Sequence, residues 1–212
     1  MGYDRRHGTS LRQACKLEGV VSVDVDAAAR AIDAFLAALG HPPQSDPELR
    51  GTGRRVAEAY AHELLTGYAE DPAAILADAT ASDAPGLVVV TDVRVTTMCP
   101  HHLLPASGVA HVGYLPGARV VGLGALARVV QCFARRLILQ EDLGAKVADA
   151  LVRHLGAKAA ACALDLSPTC MTARGEREHG ARAVSVAYAG DADDAFRRSF
   201  ETVLSLGARG AR

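Results

Sequence analysis

The stretch Leu87 to Thr97 constrains the fold most. Val88, Val89, Val90, Val93 and Val95 crowd β-branched side chains into one run, while Asp92, Arg94 and Thr96 alternate outward in its second half. β-Branched residues are stiff at χ1 and suit a pleated, half-buried surface, so this run predicts a strand with one face on a core. A strand needs partners for its backbone groups, and the chain supplies them in order. Val109 to Leu115 reads as a second strand, Pro116-Gly117 turns into a short third at Arg119 to Val121, and Ala159 to Leu166 and Arg182 to Tyr188 add two more. Sequential strands of this kind point to antiparallel pairing.

Between and before the strands the apolar period changes to that of a helix. Ala28, Ile32, Phe35, Leu36 and Leu39 form one stripe over Val25 to Leu39, closed by Gly40 and Pro42-Pro43, and Val56, Tyr60 and Leu64 mark a second helix over Thr52 to Thr66. Gly124 to Leu137, Gln140 to about Leu155 and Ala195 to Leu206 read the same way, with a break at Ile138-Leu139. The order predicts an α+β fold, an antiparallel sheet with helices on one face and an N-terminal helical appendage. Residues 1–50 are expected to form an arm and its helix, with Met1 to Gly19 polar, basic, unpatterned and mobile, and residues 51–212 the main domain. Arg54 and Arg55 fall in the first turn of the second helix, where cations oppose the helix dipole. They mark either an anion site or an ordinary surface.

Composition narrows the function. A net charge of −1 and an aromatic content of 4% in 212 residues exclude a general nucleic-acid-binding surface, and half the residues being hydrophobic excludes disorder. Cys15, Cys99, Cys132, Cys162 and Cys170 are odd in number and lack framework spacing, no signal-peptide pattern opens the chain, and no apolar run reaches membrane-spanning length. The expectation is a cytoplasmic protein with a small-molecule substrate, no nucleic acid and no membrane.

Chemistry concentrates where the first strand ends, at Met98-Cys99-Pro100-His101-His102. Cys99 and His102 stand at Cys-x-x-His spacing, which lets a thiolate and an imidazole converge on one ion. The spacing alone also fits a buried cysteine beside a hydrogen-bonded histidine, so further ligands must decide. Cys170, in Ser167-Pro168-Thr169-Cys170-Met171, is the next cysteine in a strand-turn setting. Two cysteines and one histidine leave a fourth tetrahedral position for water, the arrangement of a catalytic zinc site. Cys132 and Cys162 read as small buried hydrophobes and His111 as a packing or surface histidine, while the offset of His179 fits no role.

Several separated motifs then recur in one order: Cys99-Pro100-His101-His102-Leu103-Leu104-Pro105, Gly122-Leu123 with Leu126-Ala127-Arg128, Phe133-Ala134-Arg135-Arg136, Gln140-Glu141, and Cys170-Met171-Thr172-Ala173-Arg174-Gly175. Over about Thr52 to Gly190 the chain resembles GTP cyclohydrolase I. The resemblance implies a tunnelling-fold subunit of a toroidal homodecamer with active sites between subunits. It implies zinc on Cys99, His102 and Cys170, and proton transfer at the guanine imidazole ring by His101. It also implies guanine recognition by Glu141 with Gln140 beside it, and phosphate binding by Arg55, Arg128 and Arg174. The residue types suit that chemistry: a zinc-polarised water can attack C8 of a purine, an imidazole can carry protons near neutral pH, and a carboxylate can accept from both N1–H and the exocyclic amine of guanine.

The departures from the family pattern are specific. Pro168 stands where the family has a histidine, Gly124-Ala125 where it has Ser-Lys, and Glu58 where it has a lysine. The expected activity is a zinc-dependent cyclohydrolase opening a guanine nucleotide at C8, the family reaction giving 7,8-dihydroneopterin triphosphate and formate, with the steps after ring opening weakened. A paralogue acting on a less phosphorylated guanine or modified purine, and an inactive purine- or protein-binding member, are the alternatives.

Overall fold

The computed structural model describes residues 23–83 and 86–210, so the arm expected over Met1 to Gly19 lies outside the described residues. The helices are α1 (Val25–Ala38), α2 (Thr52–Ala59), α3 (Pro72–Ile75), α4 (Leu123–Ala134), α5 (Gln140–Ala150), α6 (Thr169–Thr172) and α7 (Asp194–Gly210). The strands are β1 (Thr80–Ala81), β2 (Val88–Met98), β3 (Pro105–Leu115), β4 (Arg119–Val120), β5 (Ala159–Pro168) and β6 (Ala183–Gly190). β2, β3, β5 and β6 form one antiparallel sheet in that order, and β1 pairs with β4 beside it. The α+β architecture with an antiparallel sheet is the one the strand and helix periods predict, and it differs from the expected single helical face in that α7 covers the second face of the sheet.

Alternation along β5 sorts its side chains onto two faces. Ala160, Cys162, Leu164 and Leu166 join Ala110, Val112 and Tyr114 of β3 in a core with Leu126, Val129 and Val130 of α4 and Leu143 and Val147 of α5. Ala159, Ala161 and Ala163 face the other way and meet Phe196 and Phe200 of α7. The small alanines let α7 lie close. A Cβ at Gly113 would come within 3.0 Å of the Phe200 ring and of Val89 Cγ2, so a larger residue at that β3 position requires those side chains to give by a few tenths of an ångström. Cys132 and Cys162 are fully buried, as small hydrophobes should be, and burial pushes the Cys162 thiol up to about 12.

The N-terminal layer is tied by polar contacts. Asp24 caps α1 by accepting from the Ala27 N–H at 2.8 Å. Asp33 accepts from the Gly53 N–H at 3.1 Å, and Arg54 bridges Asp26 of α1 to Glu58 of its own helix. Two carboxylates therefore answer the cation that opposes the α2 dipole. α2 gives way to a π turn at Tyr60–Leu64 rather than running on to Thr66.

β2 carries a bulge between Val90 and Val93. Asp92 adopts φ 57° there, and its N–H donates to His111 Nδ1 at 3.2 Å. His111 is thus a packing residue at the bulge. Among the described residues no helix is long and apolar enough to cross a membrane.

Candidate metal centre

β2 ends at Met98, and the chain crosses to β3 through Cys99 to Leu104. This hairpin loop is closed by the Met98–Pro105 pair, by the Cys99 N–H donating to the Leu104 carbonyl at 3.0 Å, and by the Leu103 N–H donating to the Cys99 carbonyl at 2.9 Å. Leu103 takes φ 52°, and its carbonyl accepts from the Tyr60 hydroxyl at 2.8 Å. Burial pushes the Tyr60 hydroxyl above its ordinary pKa, which keeps it a donor. On the other side the Ile138 N–H donates to the Met98 carbonyl at 3.2 Å, clamping the loop base to the break between α4 and α5.

The sheet register delivers the third candidate donor. Ala106 pairs with Pro168, so β5 ends beside the start of β3, and one turn of α6 turns Cys170 back toward the loop. The donor atoms of Cys99, His102 and Cys170 all lie within 4.8 Å of one another. A tetrahedral ion with bonds of about 2.0–2.3 Å needs its donors roughly 3.5–3.8 Å apart, so a small contraction closes this group around one ion. Two soft thiolate sulfurs and one imidazole nitrogen make a donor set that suits zinc.

The surroundings are polar and open. His102 Nδ1 lies 3.9 Å from Cys99 Sγ, and Nε2 lies 3.1 Å from Arg174 Nη1. Burial, then the adjacent Cys99, pushes the Cys170 thiol up, while the Arg174 guanidinium pulls it down. A bound cation would add to the pull of Arg174. His101 is exposed, its ring edge-on to that of His102 with centroids 6.3 Å apart. A cleft of about 320 Å³ opens beside Pro100, lined by Ile138, Leu139, Tyr68 and Asp142 among others.

The other expected site residues divide. Glu141 is exposed in the first turn of α5, where the helix dipole favours a carboxylate. Gln140 is half-buried, and its Nε2 faces the Ala183 carbonyl at 2.8 Å, Ser185 Oγ at 3.2 Å and the Leu164 carbonyl at 3.3 Å. Its amide is committed to the sheet. Arg55 folds onto its own loop, donating to the Arg50 carbonyl and Thr52 Oγ1, each at 2.9 Å. Arg128 is exposed on α4. Of the three arginines, Arg174 is the one that contacts the candidate metal-binding group, at His102. Ala125, where the family has a lysine, is buried in the core, and Glu58 spends its charge on Arg54. The Tyr60 contact is invisible to sequence reasoning, because nothing local marks a hydrogen bond across 43 residues.

A family model described as GTP cyclohydrolase I matches residues 28–205. The chain belongs to the GTP cyclohydrolase I family. It is 37% identical to GTP cyclohydrolase 1 of Dehalococcoides mccartyi over 79% of this chain and 88% of that one. It is 40% identical to the Corynebacterium glutamicum protein of that name over 79% and 85%, and 39% to that of Chromobacterium violaceum over 84% and 87%. Among solved structures, the apo form of the archaeosine synthase QueF-Like superposes with a TM-score of 0.42 at 19% identity, covering 51% of this chain and 97% of its own.

Proposed function

We propose that the chain is a zinc-dependent cyclohydrolase that opens the imidazole ring of GTP at C8 and carries the product on to 7,8-dihydroneopterin triphosphate with loss of formate. The reading is carried by one observation: the donor atoms of Cys99, His102 and Cys170 converge, with His101 left unligated beside them. When bound, zinc supplies Lewis-acid activation of the water that adds to C8. His101 carries protons to and from the imidazole nitrogens as a general acid and base. Glu141 accepts from the guanine N1–H and exocyclic amine. Gln140 serves the same base by holding the start of α5 against the sheet.

Arg174, next to His102, receives a phosphate oxygen of the nucleotide. Arg128 and Arg55 supply further positive charge for the triphosphate, Arg55 by letting go of its own loop. Because His101, His102 and Arg174 are exposed in a single chain, the site is completed by a second copy, in keeping with a cytoplasmic homodecamer whose active sites lie between subunits.

The test is metal content together with turnover. Purified protein should carry about one zinc per chain and release formate from GTP, and Cys99→Ser or Cys170→Ser should lose most of both, since a three-ligand site depends on each thiolate. Stoichiometric zinc in both variants would sink the ligand assignment, and zinc-loaded protein that leaves GTP intact would sink the activity.

A further inference from the structure

The residue immediately after the ligand His102 is Leu103, at φ 52°. That left-handed conformation crowds the Cβ of any non-glycine residue, and it persists only where surroundings hold it. Two of the hydrogen bonds that hold it are made within the loop itself, from the Leu103 N–H to the Cys99 carbonyl and from the Cys99 N–H to the Leu104 carbonyl. The third comes from another layer of the fold, the Tyr60 hydroxyl donating to the Leu103 carbonyl at 2.8 Å. Tyr60 stands where α2 changes to a π turn, a device that spends regular helical hydrogen bonding to re-aim side chains and that recurs at functional sites.

A peptide plane is rigid, so fixing the Leu103 carbonyl fixes ψ of Leu103 and restrains the backbone that carries His101 and His102. From this we infer that Tyr60 is a positioning residue of the metal loop: by holding the Leu103 carbonyl it keeps Leu103 left-handed and aims the His102 ring at Cys99 and Cys170. The helix pair α1–α2 then takes part in the metal centre, since Asp33 and Asp26 tie α1 to the helix that carries Tyr60. The inference rests on the reading of Cys99, His102 and Cys170 as metal ligands.

The test uses the full chain and reads metal binding rather than turnover. Zinc affinity is measured by competition with a chromogenic chelator for wild type, Tyr60→Phe, Leu103→Gly and the double variant, and the absorption bands of the cobalt-loaded proteins report ligand geometry. Tyr60→Phe removes one hydroxyl and leaves the ring, and it should weaken zinc binding about 10-fold, as groups that orient metal ligands do, and shift the cobalt bands. Glycine adopts the left-handed region at no steric cost, so Leu103→Gly should bind zinc like wild type and should recover most of the loss when combined with Tyr60→Phe. Zinc-binding wild type with a Tyr60→Phe variant of equal affinity and equal cobalt spectrum would overturn the inference alone. So would a loss that Leu103→Gly leaves untouched. A wild-type chain that takes up no zinc would overturn the metal reading and this inference with it.

Discussion

Replacing Gln140 by glutamate separates two roles that one side chain could play. The Gln140 amide carries two N–H groups and faces three acceptors, the Ala183 carbonyl at 2.8 Å, Ser185 Oγ at 3.2 Å and the Leu164 carbonyl at 3.3 Å, so two good hydrogen bonds are at stake. Losing each costs about 1 kcal/mol, and a half-buried carboxylate turned toward two carbonyl oxygens adds about 1 kcal/mol more. The sum of about 3 kcal/mol lowers Tm by roughly 6–12 °C in a chain of this length. Gln140→Glu should therefore melt well below wild type in a thermal scan at fixed protein concentration. Glu141→Gln is the contrast: an exposed first-turn residue whose loss should leave Tm within about 2 °C and raise KM for GTP. If Gln140→Glu melts with wild type and instead raises KM more than tenfold, the amide reads the substrate and its contacts to β5 and β6 are incidental.

Cys162 predicts an alkaline weakness. Its thiol titrates at about 12 when folded and at about 9 when unfolded, so the unfolded chain releases the proton first; the stability is fully present below pH 9 and is lost as pH rises toward 12, about 1.4 kcal/mol of it by pH 10. Urea midpoints across pH 8–10 should fall for wild type and stay flatter for Cys162→Ala, and parallel slopes would refute the assignment. Pro168 predicts a lag, since it offers neither a titratable group nor an N–H at the strand end next to Cys170. Chromatography of a GTP reaction should show a ring-opened formamide ahead of the pterin, Pro168→His should shorten its lifetime on the order of 10²-fold, and pterin formed without a lag would mean that another acid serves.

What the sequence disclosed follows its physics closely. The valines of β2 announced a strand because β-branching acts locally, whereas Pro105, Ala106, Ser107 and Gly108 carry no such preference and begin β3 only because β2 pairs with all four and β5 with the last three. The expected start at Val109 marks where local propensity begins, not where pairing does. The two residues of β1 are too short to show a period, and the π turn at Tyr60 keeps helical spacing and so stays hidden. In the site, Cys99, His102 and Cys170 were legible because each lies in a motif of the GTP cyclohydrolase I resemblance, whereas the Cys-x-x-His spacing alone left a buried cysteine open. The commitments of Gln140 to β6, of Glu58 to Arg54 and of Tyr60 to Leu103 were not, because each depends on contacts made after folding. Glu58 stands where the family has a lysine, and its carboxylate is paired with Arg54.

The pairing of Ala106 with Pro168 would make a metal held by Cys99, His102 and Cys170 a witness to assembly of the sheet. Cys99 precedes β3 and Cys170 follows β5, so their separation is a vernier on how those strands are aligned. A slip of one residue shifts them by about 3.4 Å and turns inward side chains outward, and a slip of two restores the faces but displaces the ligands by about 6.8 Å. Coordination tolerates about 0.2 Å. Of all the alignments the alanine-rich β5 could adopt against β3, only one would capture the ion, and bound zinc would then count correctly folded chains.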